Sequence, residues 1–201
     1  MQNDGPMASH GVMIFCCSRK DPEGYRLIQL RDKRASDEYM IRAGLEIREM
    51  TSEAGALFIV NDRLEVALAC DADGLHVGQE DRPAREVREA LRGKLLGVSV
   101  ATAEQAVQAR EDGADHLGVG PIYATATKSD AGAATGIEMI CLTKAASGGL
   151  PVVAIGGINE KNVGEIAKAG ADAAAIISAI VCAPDMAEAT RRLVRIWEMH
   201  G

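Results

Sequence analysis

The chain has 201 residues, which is enough for one sizeable hydrophobic core and lies at the lower limit for an eightfold βα barrel of roughly 200 residues. Its formal net charge of -7 argues against a general nucleic-acid-binding protein, and no stretch approaches the roughly 18 apolar residues of a membrane span. The five cysteines have no metal-finger spacing, so we expect reduced thiols in a cytoplasmic protein.

The amino-terminal region contains a polar lead and two apolar stretches. Residues 1–10 lack the pattern of a signal sequence, so we predict a disordered lead followed by a single domain over residues 11–201. The apolar runs at residues 11–17 and 27–31 each indicate a buried strand. A parallel crossover needs about a dozen residues and usually a helix, more than the segment 18–26 offers. The first βα unit is therefore predicted to be shortened.

A long helix is predicted after the second strand. Ser36 is a typical N-cap residue, and Asp37 and Glu38 put negative charge in the first turn. Apolar residues of helical period follow at Met40, Ala43, Ile47, Met50 and Ala54.

From residue 57 onward, predicted strands and helices alternate regularly. The strands lie at 57–60, 74–77, 95–98, 117–119, 152–155 and 173–177, and the helices at 63–70, 83–91, 102–111, 137–146, 159–169 and 186–199. With eight strands in total, this alternation predicts a (β/α)8 TIM barrel, in which functional residues follow the C-terminal ends of the strands. His76 lies inside a predicted strand and is interpreted as a structural histidine.

Three short segments form a weak internal repeat. Residues 71–74, 112–115 and 169–172 each end a predicted helix and lead into an apolar strand. Gly or Asp at a helix exit suits a tight turn, so turn chemistry alone is the preferred explanation.

Cationic side chains are predicted at the mouth of the barrel. Gln29, Arg31 and Lys33 alternate with Leu30 and Asp32, so their side chains share one face of the second strand. Two inward-pointing cations require an anion, which is either a bound ligand or a barrel carboxylate in a structural ion pair.

Two carboxylates follow neighbouring strands. Asp62 and Asp81 together favour a hard divalent cation such as Mg²⁺, completed by waters and substrate phosphate. Each also has a simpler explanation, since Asp62 could cap a helix and Asp81 could lie in a solvated turn. Beside Arg31, Lys33 and Lys128, the metal site is the preferred interpretation.

Hydroxyl groups and glycines follow the sixth, seventh and eighth strands. Thr125, Thr127 and Lys128 suit a phosphorylated ligand, although threonines also cap turns in solvated loops. Gly156-Gly157, before the helix predicted at 159–169, and Ser178 suit a monophosphate held by backbone N–H groups and helix N-termini.

Together these segments resemble the thiamine-phosphate synthase family, from residue 27 to the C-terminus. The resembling motifs, in family order, are Gln29-Leu30-Arg31-Asp32-Lys33, Phe58-Ile59-Val60-Asn61-Asp62-Arg63, Gly74-Leu75-His76-Val77-Gly78-Gln79-Glu80-Asp81, Gly97-Val98-Ser99, Gly118-Val119-Gly120-Pro121, Thr125-Ala126-Thr127-Lys128, Ala154-Ile155-Gly156-Gly157-Ile158 and Ile177-Ser178-Ala179-Ile180.

The resemblance implies a TIM-barrel transferase that joins hydroxymethylpyrimidine diphosphate to thiazole phosphate, giving thiamine phosphate and pyrophosphate. It implies that the pyrimidine diphosphate is held by Gln29, Arg31, Lys33, Asn61, Ser99 and Lys128, of which Arg31, Lys33, Ser99 and Lys128 are the expected catalytic residues. It also implies Mg²⁺ on Asp62 and Asp81, and thiazole phosphate on Thr125, Thr127, Gly157, Ile177 and Ser178.

Two alternative functions stay open. A thiazole tautomerase-like isomerase would share the barrel and the phosphate end, but it would lack the diphosphate and metal residues that are present here. The shortened front motivates a non-catalytic barrel that binds thiamine precursors or the product. The expected partners are small-molecule substrates rather than nucleic acid or membrane, and the sequence leaves a homo-oligomer open.

Overall fold

Eight strands form a closed barrel in chain order. The computed structural model describes residues 11–16, 27–125 and 133–201, and for 11–16 it describes the backbone alone. The lead predicted at 1–10 lies outside these ranges. The strands are β1 (Gly11–Cys16), β2 (Leu27–Arg31), β3 (Leu57–Asn61), β4 (Gly74–Val77), β5 (Leu95–Val100), β6 (His116–Val119), β7 (Val152–Ile155) and β8 (Ala173–Ile176). The helices are α1 (Asp37–Glu53), α2 (Leu64–Ala69), α3 (Ala84–Ala90), α4 (Ala103–Glu111), α5 (Glu138–Ala146), α6 (Val163–Lys168), α7 (Ser178–Val181) and α8 (Met186–His200).

The strands β2 to β8 are parallel, which confirms the predicted TIM-like fold. The strand β1 differs, because it is antiparallel to both β2 and β8. A short connection suffices between antiparallel strands, whereas a parallel crossover needs about a dozen residues. The short segment 17–26 therefore suits the reversed strand. As a result Gly11 pairs with Arg31 at the C-terminal end of β2.

The predicted helix caps are present. Ser36 Oγ accepts a hydrogen bond from the N–H of Tyr39 at 3.3 Å, and Thr102 Oγ1 accepts one from Gln105 at 3.2 Å. The helices α1 and α4 begin directly after these residues. Within the described part of the chain, no helix combines the length and the apolar character needed to cross a membrane.

The inner face of α1 differs from the predicted face near its end. Met40 is buried and Ile47 packs against the core, but Met50 is 66% exposed and Ala54 is exposed as well. Thr51 is buried instead. Eleven residues separate it from Met40, which is close to three helical turns, so Thr51 returns to the same stripe and Met50 does not.

Polar side chains occupy part of the barrel interior. A large apolar cluster packs between the sheet and the helices, and a second, small cluster centres on Val153 and Ala175. Gln29, Asn61 and His76 are buried on β2, β3 and β4. A few buried polar side chains in an otherwise apolar interior are typical of a binding site, so this part of the interior is a candidate ligand site.

The repeated segments share one structure at the other end of the barrel. Asp73, Asp115 and Asp172, which we call the turn aspartates, each accept a hydrogen bond from a backbone N–H of the preceding strand. These bonds are 2.7 Å long, from Phe58, Leu96 and Val152. Each turn aspartate also pairs with a cation, at 2.8 Å from Arg48, 2.8 Å from Arg88 and 2.6 Å from Lys144, respectively.

Candidate active site

Two carboxylates meet where β3 and β4 end. Asp62 directly follows β3, and its carboxyl is hydrogen-bonded to that of Asp81 in the loop after β4. The pKa of Asp62 is raised to about 6, mainly because burial desolvates the group and further because Asp81 lies beside it. Asp62 is not a helix cap, since Arg63 occupies the N-cap position of α2. Asp81 does stabilise a turn, because its Oδ2 accepts the N–H of Gly78 at 2.7 Å.

The positive charges of Arg31, at the end of β2, and of Lys33 affect the pKa of Asp62. The Nζ of Lys33 lies 3.8 Å from Oδ2 of Asp62, and the positive charges of Lys33 and Arg31 oppose the rise in the Asp62 pKa. The Lys33 side chain is 49% exposed. A long, solvated ion pair of this kind contributes little to stability, so an anionic ligand can compete for Lys33.

Arg63 fixes the loop that carries Lys33. Its guanidinium donates to the carbonyls of Ala35 at 2.7 Å and Asp32 at 2.9 Å, and it pairs with Asp37 at 2.7 Å. These contacts hold the main chain on both sides of Lys33. Sequence reasoning assigns Arg63 no role, because its three partners lie in a separate segment of the chain.

Two amide side chains lie deep in the mouth. Gln29 is 1% exposed, and among the described residues its Oε1 has no hydrogen-bond partner. An unsatisfied buried acceptor costs about 1–3 kcal/mol, so this atom suits a donor supplied by a ligand. Asn61, the last residue of β3, is also buried and pairs in register with His76. The interior of the mouth is therefore suited to a polar ligand.

Ser99 is held from two sides. Its Oγ lies 2.9 Å from Nε2 of His76, and its carbonyl accepts a hydrogen bond from Nε2 of Gln79 at 2.7 Å. His76 therefore contacts Ser99, a predicted site residue. The sequence interpretation of His76 as a structural histidine did not predict this contact. The sequence feature that indicates a role for Gln79 at the site is its position just after β4.

The two glycines after β7 allow close approach of the loop that follows β6. The N–H of Tyr123 donates to the carbonyl of Gly156 at 3.1 Å. A Cβ at Gly157 would lie 2.8 Å from Cβ of Tyr123, and the φ of 67° at Gly157 favours glycine. The segment that leads to Thr125 is thus packed against the end of β7.

The helix predicted at 159–169 begins later, at Val163. Oδ1 of Asn162 accepts the N–H of Asn159 at 2.8 Å, and both asparagine amides donate to the carbonyl of Gly157. These side-chain bonds form a turn in place of the first helical turn. The predicted helix start at Asn159 is therefore wrong, and a turn separates the glycine pair from α6.

The remaining predicted phosphate residues lie at neighbouring strand ends. Ile177 follows β8 directly, and Ser178 is the exposed first residue of α7. Thr125 is half-buried after β6. Thr127 and Lys128 lie outside the described residues.

The chemistry of the acidic pair fits a divalent cation. Burial and mutual repulsion raise the pKa of Asp62, and a cation bound between Asp62 and Asp81 would relieve that repulsion. Among the described residues no cluster of three or more His, Cys, Asp or Glu is found. One or two carboxylates, with waters and substrate phosphate as further ligands, is a common mode of Mg²⁺ binding.

Comparisons with known proteins give a consistent result. A family model described as thiamine monophosphate synthase matches residues 17–180. The thiamine-phosphate synthase of Moorella thermoacetica is 51% identical over 171 residues, which is 85% of this chain and 81% of that protein. The enzyme of the same name from Chloroflexus aurantiacus is 49% identical over 170 residues, covering 85% of this chain and 78% of that protein. The solved thiamine phosphate pyrophosphorylase from Pyrococcus furiosus superposes with a TM-score of 0.80 at 42% identity, covering 86% of this chain and 83% of that chain.

Proposed function

Because the chain belongs to the thiamine monophosphate synthase family and is therefore a transferase, we propose that it joins hydroxymethylpyrimidine diphosphate to thiazole phosphate in a Mg²⁺-dependent reaction. The observation that carries the proposal is the contact of Asp62 with Asp81 beside Lys33 and Arg31, at one rim of the barrel. This arrangement offers a metal site and cations for the same diphosphate.

The proposed reaction breaks the bond between the pyrimidine methylene carbon and the diphosphate oxygen. The electron pair leaves with the pyrophosphate, and the thiazole nitrogen then donates its own pair to the methylene carbon to form the new C–N bond. Among the described residues, Arg31 and Lys33 would stabilise the negative charge on the leaving group. Positive charge fixed in advance near a departing anion makes a large contribution to catalysis.

Asp62 and Asp81 would hold the cation, which when bound neutralises charge on the diphosphate. Gln29 and Asn61 would orient the pyrimidine, because both amides are buried at the mouth and Oε1 of Gln29 has no hydrogen-bond partner among the described residues. Ser99 would complete the pyrimidine diphosphate site. Lys128 remains a proposed member of the catalytic set.

The thiazole phosphate would bind at the strand ends next to this site. Thr125, Thr127, Gly157, Ile177 and Ser178 are the proposed contacts. The free thiols of Cys70, Cys141 and Cys182 support the expectation of a reducing compartment, which we propose is the cytoplasm.

Incubation of the purified protein with both precursors and Mg²⁺ tests the proposed function. Thiamine phosphate and pyrophosphate should form in equal amounts, and chelation of Mg²⁺ should abolish both products. Rearrangement of the thiazole without consumption of the pyrimidine diphosphate would identify a tautomerase-like isomerase instead. Binding of both precursors without turnover would identify a non-catalytic barrel.

A further inference from the structure

A chain of polar contacts runs through the barrel interior to Ser99. The Nε2 of His76 lies 2.9 Å from Oγ of Ser99, and Nδ1 of His76 lies 3.4 Å from Nε2 of His116. The two imidazole rings have their centroids 5.5 Å apart. The strands β4, β5 and β6 each contribute one residue, so three neighbouring strands build a single network.

Glycines make room for this network. A Cβ at Gly97 would collide with both His76 Nδ1 and His116 Nε2, and a Cβ at Gly118 would lie 3.0 Å from Cε1 of His76. A side chain at either position would displace a ring. The contact between the two histidines therefore depends on backbone positions that have no side chain.

The direction of the hydrogen bonds decides what Ser99 can offer to a ligand. The pKa of His116 is lowered to about 4, because desolvation outweighs the attraction of Asp115, so His116 is neutral near pH 7. A neutral imidazole has one N–H donor and one acceptor nitrogen. If His116 donates to His76, then His76 donates to Ser99, and the Ser99 hydroxyl hydrogen is available to a ligand. In the opposite direction, with a neutral His76, Ser99 donates to His76 and presents only lone pairs.

We propose that His76, oriented by His116, is a positioning residue that keeps the hydroxyl of Ser99 as a hydrogen-bond donor toward the pyrimidine diphosphate. This inference rests on the proposed function, in which Ser99 contacts that substrate. The phosphate oxygens and ring nitrogens of the substrate are acceptors, so they require a donor from Ser99. The hydrogen bond from Gln79 to the Ser99 carbonyl fixes the backbone from the other side.

The tautomer of His76 tests the proposed direction in the unmodified protein. Long-range ¹H–¹⁵N spectra of histidine-labelled protein near pH 7 should report a hydrogen on Nε2 of His76 and none on Nδ1. A hydrogen on Nδ1, alone or together with one on Nε2, would mean that His116 does not donate to His76 and would overturn the inference. The measurement needs no turnover, so its result is separate from the outcome of the activity test.

A double-mutant cycle tests whether His76 acts through Ser99. Replacing His76 with Leu should lower kcat/KM for the pyrimidine diphosphate by about tenfold, the range of one hydrogen bond. In a Ser99→Ala background the same replacement should change kcat/KM by less than about twofold, because the residue it acts on is absent. Equal losses in both backgrounds would assign His76 a general packing role and overturn the inference.

Two further variants keep the test informative if His76→Leu folds poorly. His76→Gln retains an N–H donor of similar reach and should recover most of the kcat/KM lost by Leu. His116→Phe should reduce kcat/KM only when Ser99 is present. Wild-type protein that makes no thiamine phosphate would contradict the proposed function. If the wild type is active and the effects of the His76 and Ser99 substitutions are additive, only the positioning role of His76 is overturned.

Discussion

Asp62 combines a strained backbone with an unfavourable charge. Its φ of 63° lies in the left-handed region, and burial together with Asp81 raises its pKa to about 6. Asn tolerates left-handed φ well, and it carries no charge. Both effects destabilise the fold at the residue proposed to hold a cation. Local backbone strain is common at functional sites of proteins.

In metal-free protein, Asp62→Asn should raise the melting temperature more at pH 8 than at pH 5. A group whose pKa is raised in the folded state stabilises the protein below its unfolded pKa, near 3.8, and loses that contribution as pH rises through about 6. The side chain of Asn does not titrate, so the variant does not lose this stability as the pH rises. Thermal unfolding in the presence of a chelator measures the difference.

Asp71→Asn is the matched control, because Asp71 also has a left-handed φ, of 48°, but pairs with Lys94, which lowers its pKa. Its effect on the melting temperature should be the same at pH 5 and pH 8. A pH-independent effect of Asp62→Asn would contradict the raised pKa.

Loss of the Arg63 guanidinium should weaken binding of the diphosphate substrate. Without it, the carbonyls of Asp32 and Ala35 lose their donor and the loop that carries Lys33 is released. We expect Arg63→Met to raise KM for the pyrimidine diphosphate by about tenfold, the range of one hydrogen bond to a charged group, with less change in KM for thiazole phosphate. Arg82→Met is the control, since Arg82 pairs only loosely with Glu65 at 3.4 Å. Equal KM values in wild type and Arg63→Met would exclude this role.

At the scale of secondary-structure elements, the turn aspartates fasten successive pairs of strands. They link β3 to β4, β5 to β6 and β7 to β8, and each also donates its own N–H to the carbonyl of the same strand residue. The residue two positions earlier has a left-handed φ in each case: 48° at Asp71, 87° at Gly113 and 94° at Gly170. The repeat is therefore more specific than a generic tight turn.

Replacing Asp172 should separate its two contributions. Asp172→Ala leaves the N–H of the buried Val152 without its acceptor and removes the ion pair with Lys144, so we expect a loss of about 1–3 kcal/mol in the free energy of unfolding. Asp172→Asn can still accept the bond from Val152 and should lose less. Urea unfolding measures both variants, and equal losses would assign the whole effect to the ion pair.

The sequence predicts strand ends well and contacts between distant residues poorly. Asp62 and Asp81 lie at one rim as expected, because parallel strands deliver their ends there. Ser99 was expected just after the strand predicted at 95–98, but it lies inside β5. The bond from Arg63 to Asp32 and the contact between His76 and His116 join separate segments, and no periodicity encodes them. The late start of α6 has a local cause instead, because the side chains of Asn159 and Asn162 bond to the carbonyl of Gly157 and form a turn rather than extending the helix.

At the scale of the whole molecule, the reversed strand β1 closes the barrel. It pairs with β2 over five residues and with β8 over three. The length of segment 18–26 argued against a parallel crossover, but it did not reveal that β1 also pairs with β8. Pairing with β8 depends on curvature accumulated over seven other strands, which local sequence does not specify.

The amides of β1 should be protected from hydrogen exchange to a similar degree as those of β2. A strand with neighbours on both sides uses its N–H groups in the ladder, which slows exchange. Mass spectrometry of peptides that cover residues 11–16 and 27–31 measures this, with the β8 peptide as an internal reference. Exchange in β1 as fast as in exposed loops would mean that β1 does not close the barrel.

The direction of β1 also affects how the protein can be handled. Gly11 pairs with Arg31, so the N-terminal end of β1 lies at the face where the diphosphate is proposed to bind. An affinity tag or fusion partner joined directly to Gly11 would crowd the entrance and raise the apparent KM for the diphosphate substrate. Immobilisation through that end would likewise turn the entrance toward the support.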